Sequence, residues 1–498
     1  MTAARQPPAL TIGLDAGTSV VKATSFDASG GAVISASRPT ATRVPAPGQT
    51  EQDLEEVIAA VGAVLREIVA ATDDAPALLG ITGQGDGLWL LDEQGRGVRP
   101  AILWSDARAA AIVEGWMSSG MADALFARSL NMPFPGAASA VLLSLRRDEP
   151  DTLAGAATAA YCKDAIVQRL TGVRATDISD ASLPFMDLRT RHYDSGLLSM
   201  IGLDGLERLL APIDLVPGPL RPLTNVGARL TGLPVGTPVH AGPFDLVATV
   251  IGAGLRRPGD GLVTIGTTLA CAVLTDHLPE ADPPAGMTLC MPEPNSWLRV
   301  MPAMVGTPSL EWVLTLVGAD RDQLEPLLEE TEPGADGLLA LPFFSPAGER
   351  APFVDPAARG QIIGLSLETC RAGVVRAVCE GMAYAARHCL DTAGLAPGGK
   401  IFICGGGTRS VAWRQMLADV LQRPLYLARQ PEVGARGAAL AALDAGGVPV
   451  DRDAWTHPDG IVAPRPELGP LYNVGFHRYL DQIDRSRGHW SGPTVTQC

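Results

Sequence analysis

The sequence is poor in the residues that bind transition metals or form disulfides. Its 498 residues include 8 cysteines and 7 histidines. No two cysteines lie closer than nine positions, so there is no Cys-x-x-Cys pair. The histidines show no metal-ligand spacing. Because Cys379, Cys389 and Cys404 lie in strongly apolar stretches, we expect buried thiols in a reducing compartment.

The chain also lacks a basic tract and a long apolar run. Its 39 Lys and Arg stand against 54 Asp and Glu, a net charge of −15, which disfavours nucleic acid and anionic membranes as partners. The longest apolar stretch, Leu246–Leu255, is about half a membrane span. No apolar signal core occupies Met1–Leu10. The expectation is a cytoplasmic protein with no nucleic-acid or membrane partner.

Strand-like and helix-like patterns alternate along the chain, which predicts an α/β fold. The first strand is predicted at Ala9–Leu14 and the second at Val20–Phe26. Thr50 is predicted to cap the helix that follows, and Gly394 to end a long helix. Further strands are predicted at 78–82, 88–91, 261–265, 269–274 and 401–404, and helices at 367–392, 413–421, 433–443 and 476–483.

A Gly-Thr turn between two strands occurs twice. Gly17-Thr18 and Gly266-Thr267 are 249 positions apart, half the chain length. Either the chain contains two similarly built domains, or the match is coincidental in a chain with 55 glycines. With the Gly- and Pro-rich segment Ile251–Asp260 as boundary, we predict an N-terminal domain at 1–253 and a C-terminal domain at 254–498.

Two glycine turns are candidates for nucleotide binding. At Asp15-Ala16-Gly17-Thr18, backbone N–H groups and the Thr hydroxyl suit a phosphate, and the Asp carboxylate suits hydrated Mg²⁺. The alternative is an ordinary hairpin turn. Gly405-Gly406-Gly407, between an apolar strand and a helix, suits phosphate or adenosine. A tight strand-to-helix turn is the alternative there.

Asp245 opens an apolar stretch after a short strand-like segment. Asp at such a point is most often a helix N-cap. It is equally suited to act as a general base directed into a cleft. The spacing alone leaves both interpretations open.

A polyol pocket is a candidate at Gly83-Gln84-Gly85-Asp86-Gly87 and the following Trp104, Asp106 and Arg108. Amide, carboxylate and guanidinium groups suit hydroxyls, and an indole ring suits C–H faces. The alternative is a surface hairpin with a half-buried Trp. The chain contains no GxGxxG, GxSxG or HExxH motif, which argues against Rossmann dehydrogenases, α/β-hydrolases and zincin proteases.

Together these segments resemble the FGGY carbohydrate kinase family, in the same order and over nearly the whole chain. No single segment is specific, but the set of eight is. They lie at 13–22, 102–108, around Asp245, and at 265–268, 342–352, 355–360, 376–384 and 405–413.

The resemblance implies two ribonuclease H-like domains of the actin and hexokinase type, with ATP and sugar in the cleft between them. It implies transfer of the ATP γ-phosphoryl group to a hydroxyl of a small polyol or ketose. Asp245 would deprotonate that hydroxyl, Asp15 would hold Mg²⁺ through water, and Thr18, Gly266 and Thr267 would contact phosphates. Closure of the two domains is the expected motion. A homodimer is left open as the assembly state.

Departures from the family pattern bear on the acceptor. Leu246 follows the base, where the family often has Asn or Gln. Typical D-xylulose kinases carry Gln-Met-His-Gly where this chain has Gly83–Gly87, so Asp86 replaces an apolar and imidazole pair. Erythritol and L-xylulose kinases look more similar at this point.

The competing class is a non-catalytic or regulatory nucleotide-binding protein on the same actin-like fold. A repressor would need a helix-turn-helix, for which the eight residues before the first predicted strand leave no room. A chaperone ATPase would lack the pocket of Trp104, Asp106 and Arg108. Asp15, Thr18 and Asp245 are all present, which argues against lost activity.

Overall fold

The computed structural model describes residues 10–72, 76–215, 218–280 and 284–490. Two large β-sheets organise the chain, one in each half. The six strands of the first sheet have the order β5-β6-β4-β1-β2-β3. These strands are β1 (Thr11–Ala16), β2 (Val20–Phe26), β3 (Ala32–Pro39), β4 (Leu78–Gly83), β5 (Arg221–Pro222) and β6 (Pro238–Ala241).

The second sheet has seven strands in the order β9-β10-β8-β7-β11-β12-β13. They are β7 (Gly261–Ile265), β8 (Leu269–Thr275), β9 (Met287–Cys290), β10 (Trp297–Ala303), β11 (Ile401–Cys404), β12 (Leu425–Leu427) and β13 (Gly460–Val462).

The two sheets share one internal plan. In the first, β1 pairs antiparallel with β2 and parallel with β4. In the second, β7 pairs antiparallel with β8 and parallel with β11. The two Gly-Thr turns therefore occupy equivalent positions, each in the hairpin of the central strand, which favours duplication over the coincidence that the spacing had left open.

Six helices pack through apolar faces that are largely buried. They are α1 (Leu54–Ala70), α2 (Cys162–Thr171), α3 (Asp245–Ala253), α4 (Arg371–Ala393), α5 (Val433–Ala445) and α6 (Gly469–Trp490). The other helices are Ala110–Ser119, Met121–Ser129, Ala138–Asp148, Pro150–Gly155, Ile178–Ala181, Ser195–Met200, Asn225–Thr231, Thr307–Leu316, Leu324–Glu329, Val411–Leu421 and Arg452–Trp455. Short strands pair outside the main sheets: Glu51–Gln52 with Ala101–Ile102, Trp89–Leu91 with Thr158–Ala160, Thr176–Asp177 with Ile213–Asp214, Met186–Asp187 with His192–Tyr193, and Leu339–Leu341 with Gln361–Ile363.

Helices α3 and α5 cross with their backbones in direct contact. A Cβ on Gly437 would lie 1.7 Å from the carbonyl oxygen of Ala248, and one on Gly252 would lie 2.0 Å from that of Val433. Helix α5 lies between β12 and β13 of the second sheet in sequence, yet it packs on β1 and β4 of the first sheet. There a Cβ on Gly13 would lie 1.8 Å from a carbonyl oxygen of α5. Glycine is required because any side chain would push these elements apart.

Several predicted boundaries were wrong. Thr50 does not cap α1; the carboxylate of Asp53 accepts the N–H groups at the helix start, because Glu51–Gln52 is extended and pairs with another strand. The first strand lies two residues later than predicted, and Ala9 falls outside the described residues. Helix α4 begins at Arg371 rather than 367, and α6 extends well beyond 476–483 on both sides. Among the described residues, no helix is long and apolar enough to cross a membrane.

Candidate active site

The glycine-rich turn after β4 lies against the start of α3. A Cβ on Gly85 would lie 1.7 Å from the ring of Phe244, the residue before Asp245. The turn is buried throughout 83–87, and Asp86 adopts a positive φ of 53°. The surface-hairpin interpretation of this segment is therefore wrong, and the structure brings Asp86 to the same site as Asp245.

A closed hydrogen-bond network holds the first Gly-Thr turn to this pocket. The hydroxyl of Thr18 donates to Gln84 Oε1 at 2.7 Å and accepts from the Trp104 indole at 3.0 Å. Gln84 Nε2 donates to Gln52 Oε1 at 2.8 Å, and Gln52 Nε2 donates back to the Thr18 carbonyl at 3.0 Å. These side chains hold each other in place, so the face of the Trp104 ring is what they offer to a ligand.

Three carboxyl groups meet at the site and repel one another. Burial raises the pKa of Asp86 to about 7, although the charge of Arg350 opposes the shift. Burial and the charge of Glu432 raise the pKa of Asp15 to about 6. The pKa of Asp245 is raised well above its usual range, first by burial and then by Asp15 and Asp86. A carboxylate with a raised pKa is a stronger general base than an ordinary surface carboxylate.

Asp245 is not a helix N-cap. Phe244 occupies the capping position, and Asp245 is the first residue of α3, where, within the described part of the chain, its carboxyl group accepts only the adjacent N–H of Leu246. The buried N–H of Phe244 donates to Ser179 Oγ at 2.8 Å, which fixes the backbone at this point. The carboxyl group of Asp245 is thus available for chemistry rather than needed to start the helix.

A buried cluster of one lysine and three aspartates holds Ser179 in place. Lys163 Nζ lies 2.6 Å from Asp164, 3.0 Å from Asp177 and 2.8 Å from Asp180. Asp177 in turn accepts the hydroxyl of Ser179 at 2.6 Å. Burial lowers the pKa of Lys163, but the three carboxylates outweigh it and the net pKa is raised, so the lysine stays charged.

Asp106 and Arg108 bond mainly to the protein itself. The Asp106 carboxylate accepts the N–H of Thr50 at 2.6 Å and Nε of Arg108 at 2.9 Å. Arg108 also donates to Glu51 at 2.7 Å. The sequence had indicated that Asp106 and Arg108 bind the acceptor. Since both oxygens of Asp106 and two side-chain nitrogens of Arg108 are already engaged, we propose instead that this pair holds the loop carrying Trp104.

The second Gly-Thr turn and the triple glycine form another group. A Cβ on Gly405 would lie 2.4 Å from the carbonyl oxygen of Ile265, and Gly407 packs on the side chain of the same residue. Ile265 immediately precedes Gly266-Thr267. Beside Gly406 the space within 4 Å is open. Backbone N–H groups at such glycine turns suit the phosphates and adenosine of a nucleotide.

The surroundings of Asp15 fit a hydrated divalent cation. Asp15 and Glu432 are close enough for each to affect the other's charge, and Lys22 pairs with Glu432 at 3.1 Å. Gly434 lies against the Asp15 carboxylate, where a Cβ would be 2.7 Å from Oδ2. The described residues contain no cluster of three or more His, Cys, Asp or Glu suited to a metal. Mg²⁺ suits such a site, because it takes one or two carboxylates and completes its shell with water and substrate phosphates.

Sequence reasoning missed Gln52, Ser179, Glu432 and the side chain of Arg350. All four reach the site from elements distant in sequence. Arg350 was noted only within a family-like segment, although its position after a buried glutamate, Glu349, indicates a fixed loop.

Comparisons with known proteins agree with this architecture. Residues 10–252 match the sequence profile of the N-terminal domain of the FGGY family of carbohydrate kinases, and residues 261–445 match that of its C-terminal domain. The chain is 36% identical over 492 residues to the erythritol kinase of Brucella abortus (strain 2308), with 92% of each chain covered. It is 30% identical over 449 residues to the xylulose kinase of Streptomyces coelicolor, with 89% of each covered. The crystal structure of xylulose kinase from Rhodospirillum rubrum is 30% identical with a TM-score of 0.88, covering 97% of this chain and 100% of that one.

Proposed function

The chain belongs to the FGGY family of carbohydrate kinases, and from this premise we propose that it phosphorylates a four-carbon polyol of the erythritol type. Kinases of this family use ATP, and the γ-phosphoryl group would pass to an acceptor hydroxyl. The observation that carries the choice of acceptor is the buried carboxyl group of Asp86 beside Asp245. The 36% identity to an erythritol kinase supports the same choice.

The chemistry of Asp86 favours a polyol over a ketose. An ionised carboxylate only accepts hydrogen bonds, and every oxygen of a polyol is a hydroxyl that can donate one. A ketose offers one hydroxyl donor fewer, because its carbonyl oxygen can only accept a hydrogen bond. A site built for hydroxyl donors rejects analogues that lack them, because its buried polar group is then left unpaired.

In the proposed mechanism, Asp245 accepts the proton of the attacking hydroxyl. Its raised pKa suits this role, and its place at the first residue of α3 fixes its direction. The face of the Trp104 ring would pack on the C–H face of the acceptor. Asp15 would hold Mg²⁺ through water, and the cation would offset charge on the phosphates.

The nucleotide would bind across the two halves of the chain. Gly17 and Thr18 would contact phosphates through their backbone from the first half, because the Thr18 hydroxyl is already engaged. Gly266 and Thr267 would contact them from the second half. Gly405, Gly406 and Gly407 would lie against the adenosine side. We propose that residues 1–253 and 254–498 close on the substrates about the crossing of α3 and α5, which excludes water from the reacting groups.

A coupled assay of ADP release with a panel of acceptors tests this proposal. We expect the highest kcat/KM for erythritol or another tetritol, with lower values for L-xylulose, D-xylulose and glycerol. A clear preference for D-xylulose would contradict the argument from Asp86. No turnover with any acceptor, in a protein that still binds ATP, would favour the regulatory alternative.

A further inference from the structure

Arg350 lies on a loop of the second half of the chain but reaches into the pocket of the first half. The loop follows the strand Leu339–Leu341. The guanidinium carbon is 5.9 Å from the ring centroid of Trp104 and 5.1 Å from that of Phe134. Both rings belong to the first half of the chain. Stacking on two rings fixes the plane of the guanidinium group.

The loop around Arg350 is fixed by a buried carboxylate. Glu349 Oε1 accepts three backbone N–H groups, from Met304 at 2.7 Å, Arg350 at 2.9 Å and Ala351 at 3.3 Å. Nε of Arg350 donates to the carbonyl oxygen of Pro302 at 2.9 Å. The backbone N–H and the Nε of Arg350 are therefore both held by residues of the second half of the chain.

In the part of the chain that the structure describes, the two terminal nitrogens of Arg350 and the carboxylate of Asp86 form no hydrogen bond with each other, although the two groups are near neighbours. They are close enough for each charge to affect the other, yet no ion pair joins them among the described residues. Among the described residues, neither the Asp86 carboxylate nor these nitrogens have a hydrogen-bond partner. A buried carboxylate and a half-buried guanidinium group that approach without contact leave room for a neutral ligand with both donors and acceptors.

We propose that Arg350 is an acceptor-binding residue, delivered to the pocket by the second half of the chain. This inference rests on the proposed function and adds a second specificity residue to it. Asp86 accepts hydrogen bonds from acceptor hydroxyls, and Arg350 donates to the oxygens of the same or a neighbouring hydroxyl. Together they select a neutral polyhydroxyl compound. A sugar acid is rejected, because its carboxylate would lie beside Asp86.

The arrangement also links acceptor binding to the relative position of the two halves. Asp86 belongs to the first half and Arg350 to the second, so an acceptor held by both bridges the cleft. The same acceptor would bind weakly to either half alone. Through Arg350, binding of the polyol would favour closure of the two halves independently of the nucleotide.

Kinetics of the full-length enzyme test this with Arg350→Met, which keeps much of the apolar stem and removes the donors. We expect the KM for the acceptor to rise about 10-fold to 100-fold and the KM for ATP to stay within about twofold. Arg359→Met is the matched control, since Arg359 lies in the same loop, is exposed and donates to the carbonyl oxygens of Pro356 and Ala358. It should leave both constants unchanged.

A double-mutant cycle separates ligand bridging from a structural role. If one acceptor joins both side chains, the losses from Asp86→Asn and Arg350→Met are not additive, and the double variant loses at least about fivefold less than their product. If Arg350→Met does not fold, Arg350→Lys keeps the charge without the fork and should still raise the acceptor KM several-fold. An unchanged acceptor KM, equal changes in both KM values, or additive losses would overturn the proposal.

The wild-type enzyme separates this result from the proposed function. If wild type turns over no tetritol, the proposed acceptor is wrong, and the same variants are measured with whichever acceptor the panel identifies. If wild type uses a tetritol and Arg350→Met behaves as wild type, only the role of Arg350 is wrong.

Discussion

Replacing Asp86 by asparagine should stabilise the fold and weaken the enzyme at the same time. The side chains have nearly the same shape, so the change removes mainly the ionisable group. Burial raises the pKa of this carboxyl from 3.8 to about 7 in the folded protein. A carboxyl group whose folded-state pKa is raised in this way destabilises the folded state when it ionises. It has no such effect while it is protonated.

The magnitude follows from the difference between the two pKa values. The cost of ionising Asp86 in the folded state is absent below about pH 4, grows as the pH rises, and is complete above about pH 7. At 1.36 kcal/mol for each pKa unit, the cost is roughly 2 kcal/mol at pH 5 and at most about 4 kcal/mol at pH 8. We therefore expect Asp86→Asn to raise the free energy of unfolding more at pH 8 than at pH 5.

Thermal unfolding of the apo protein between pH 5 and pH 8 measures this effect. Asp92→Asn is the matched control, because partial burial of Asp92 is outweighed by hydrogen bonds from Arg96 and its pKa is lowered. That variant should not stabilise the protein at pH 8. In the same preparations, Asp86→Asn should raise the acceptor KM about 10-fold or more while the KM for ATP stays unchanged. A variant that is less stable at pH 8, or one with an unchanged acceptor KM, would refute the placement of Asp86 as a buried acceptor-binding carboxyl.

Three further results are expected. In small-angle scattering, acceptor and an ATP analogue together should reduce the radius of gyration more than either alone, and equal values in all states would count against closure. Gly437→Ala should lower the free energy of unfolding by about 2–3 kcal/mol, because its Cβ would overlap the backbone of α3, whereas Gly115→Ala, in open space on a helix, should be neutral or stabilising. Ser179→Ala should lower kcat more than it changes either KM, because it removes the acceptor for the N–H of Phe244; a change in KM alone would contradict a positioning role.

Local patterns were enough to predict the hairpins that carry the two Gly-Thr turns. Each turn is set by its own glycine and the flanking strands, and the observed strands at 261–265 and 401–404 match the predicted ones. The start of α1 was missed for an equally local reason. Thr50 and Asp53 are both good caps, and the choice between them depends on whether Glu51–Gln52 pairs with a distant strand.

The composition of the pocket depended on contacts that no local pattern encodes. Gln84 and Trp104 were recognised as polar and aromatic candidates, but the network that engages them includes Gln52, which nothing in its own segment marks. Arg350 reaches the pocket only because the two halves of the chain meet there. For Asp245 the sequence left two interpretations open, and a shift of one residue decides between them. The helix is capped at Phe244, so Asp245 is not the N-cap.

The central claim is that Asp245 is the base of a phosphoryl transfer to a small polyol, and Asp245→Asn tests it most directly. The measurement is single-turnover transfer from γ-labelled ATP to erythritol, alongside equilibrium binding of ATP. We expect a loss of about 10²-fold to 10⁴-fold in the transfer rate, with ATP affinity retained and no loss of thermal stability, because burial makes the ionised form of Asp245 unfavourable in the folded protein. Transfer within about threefold of the wild-type rate would contradict it.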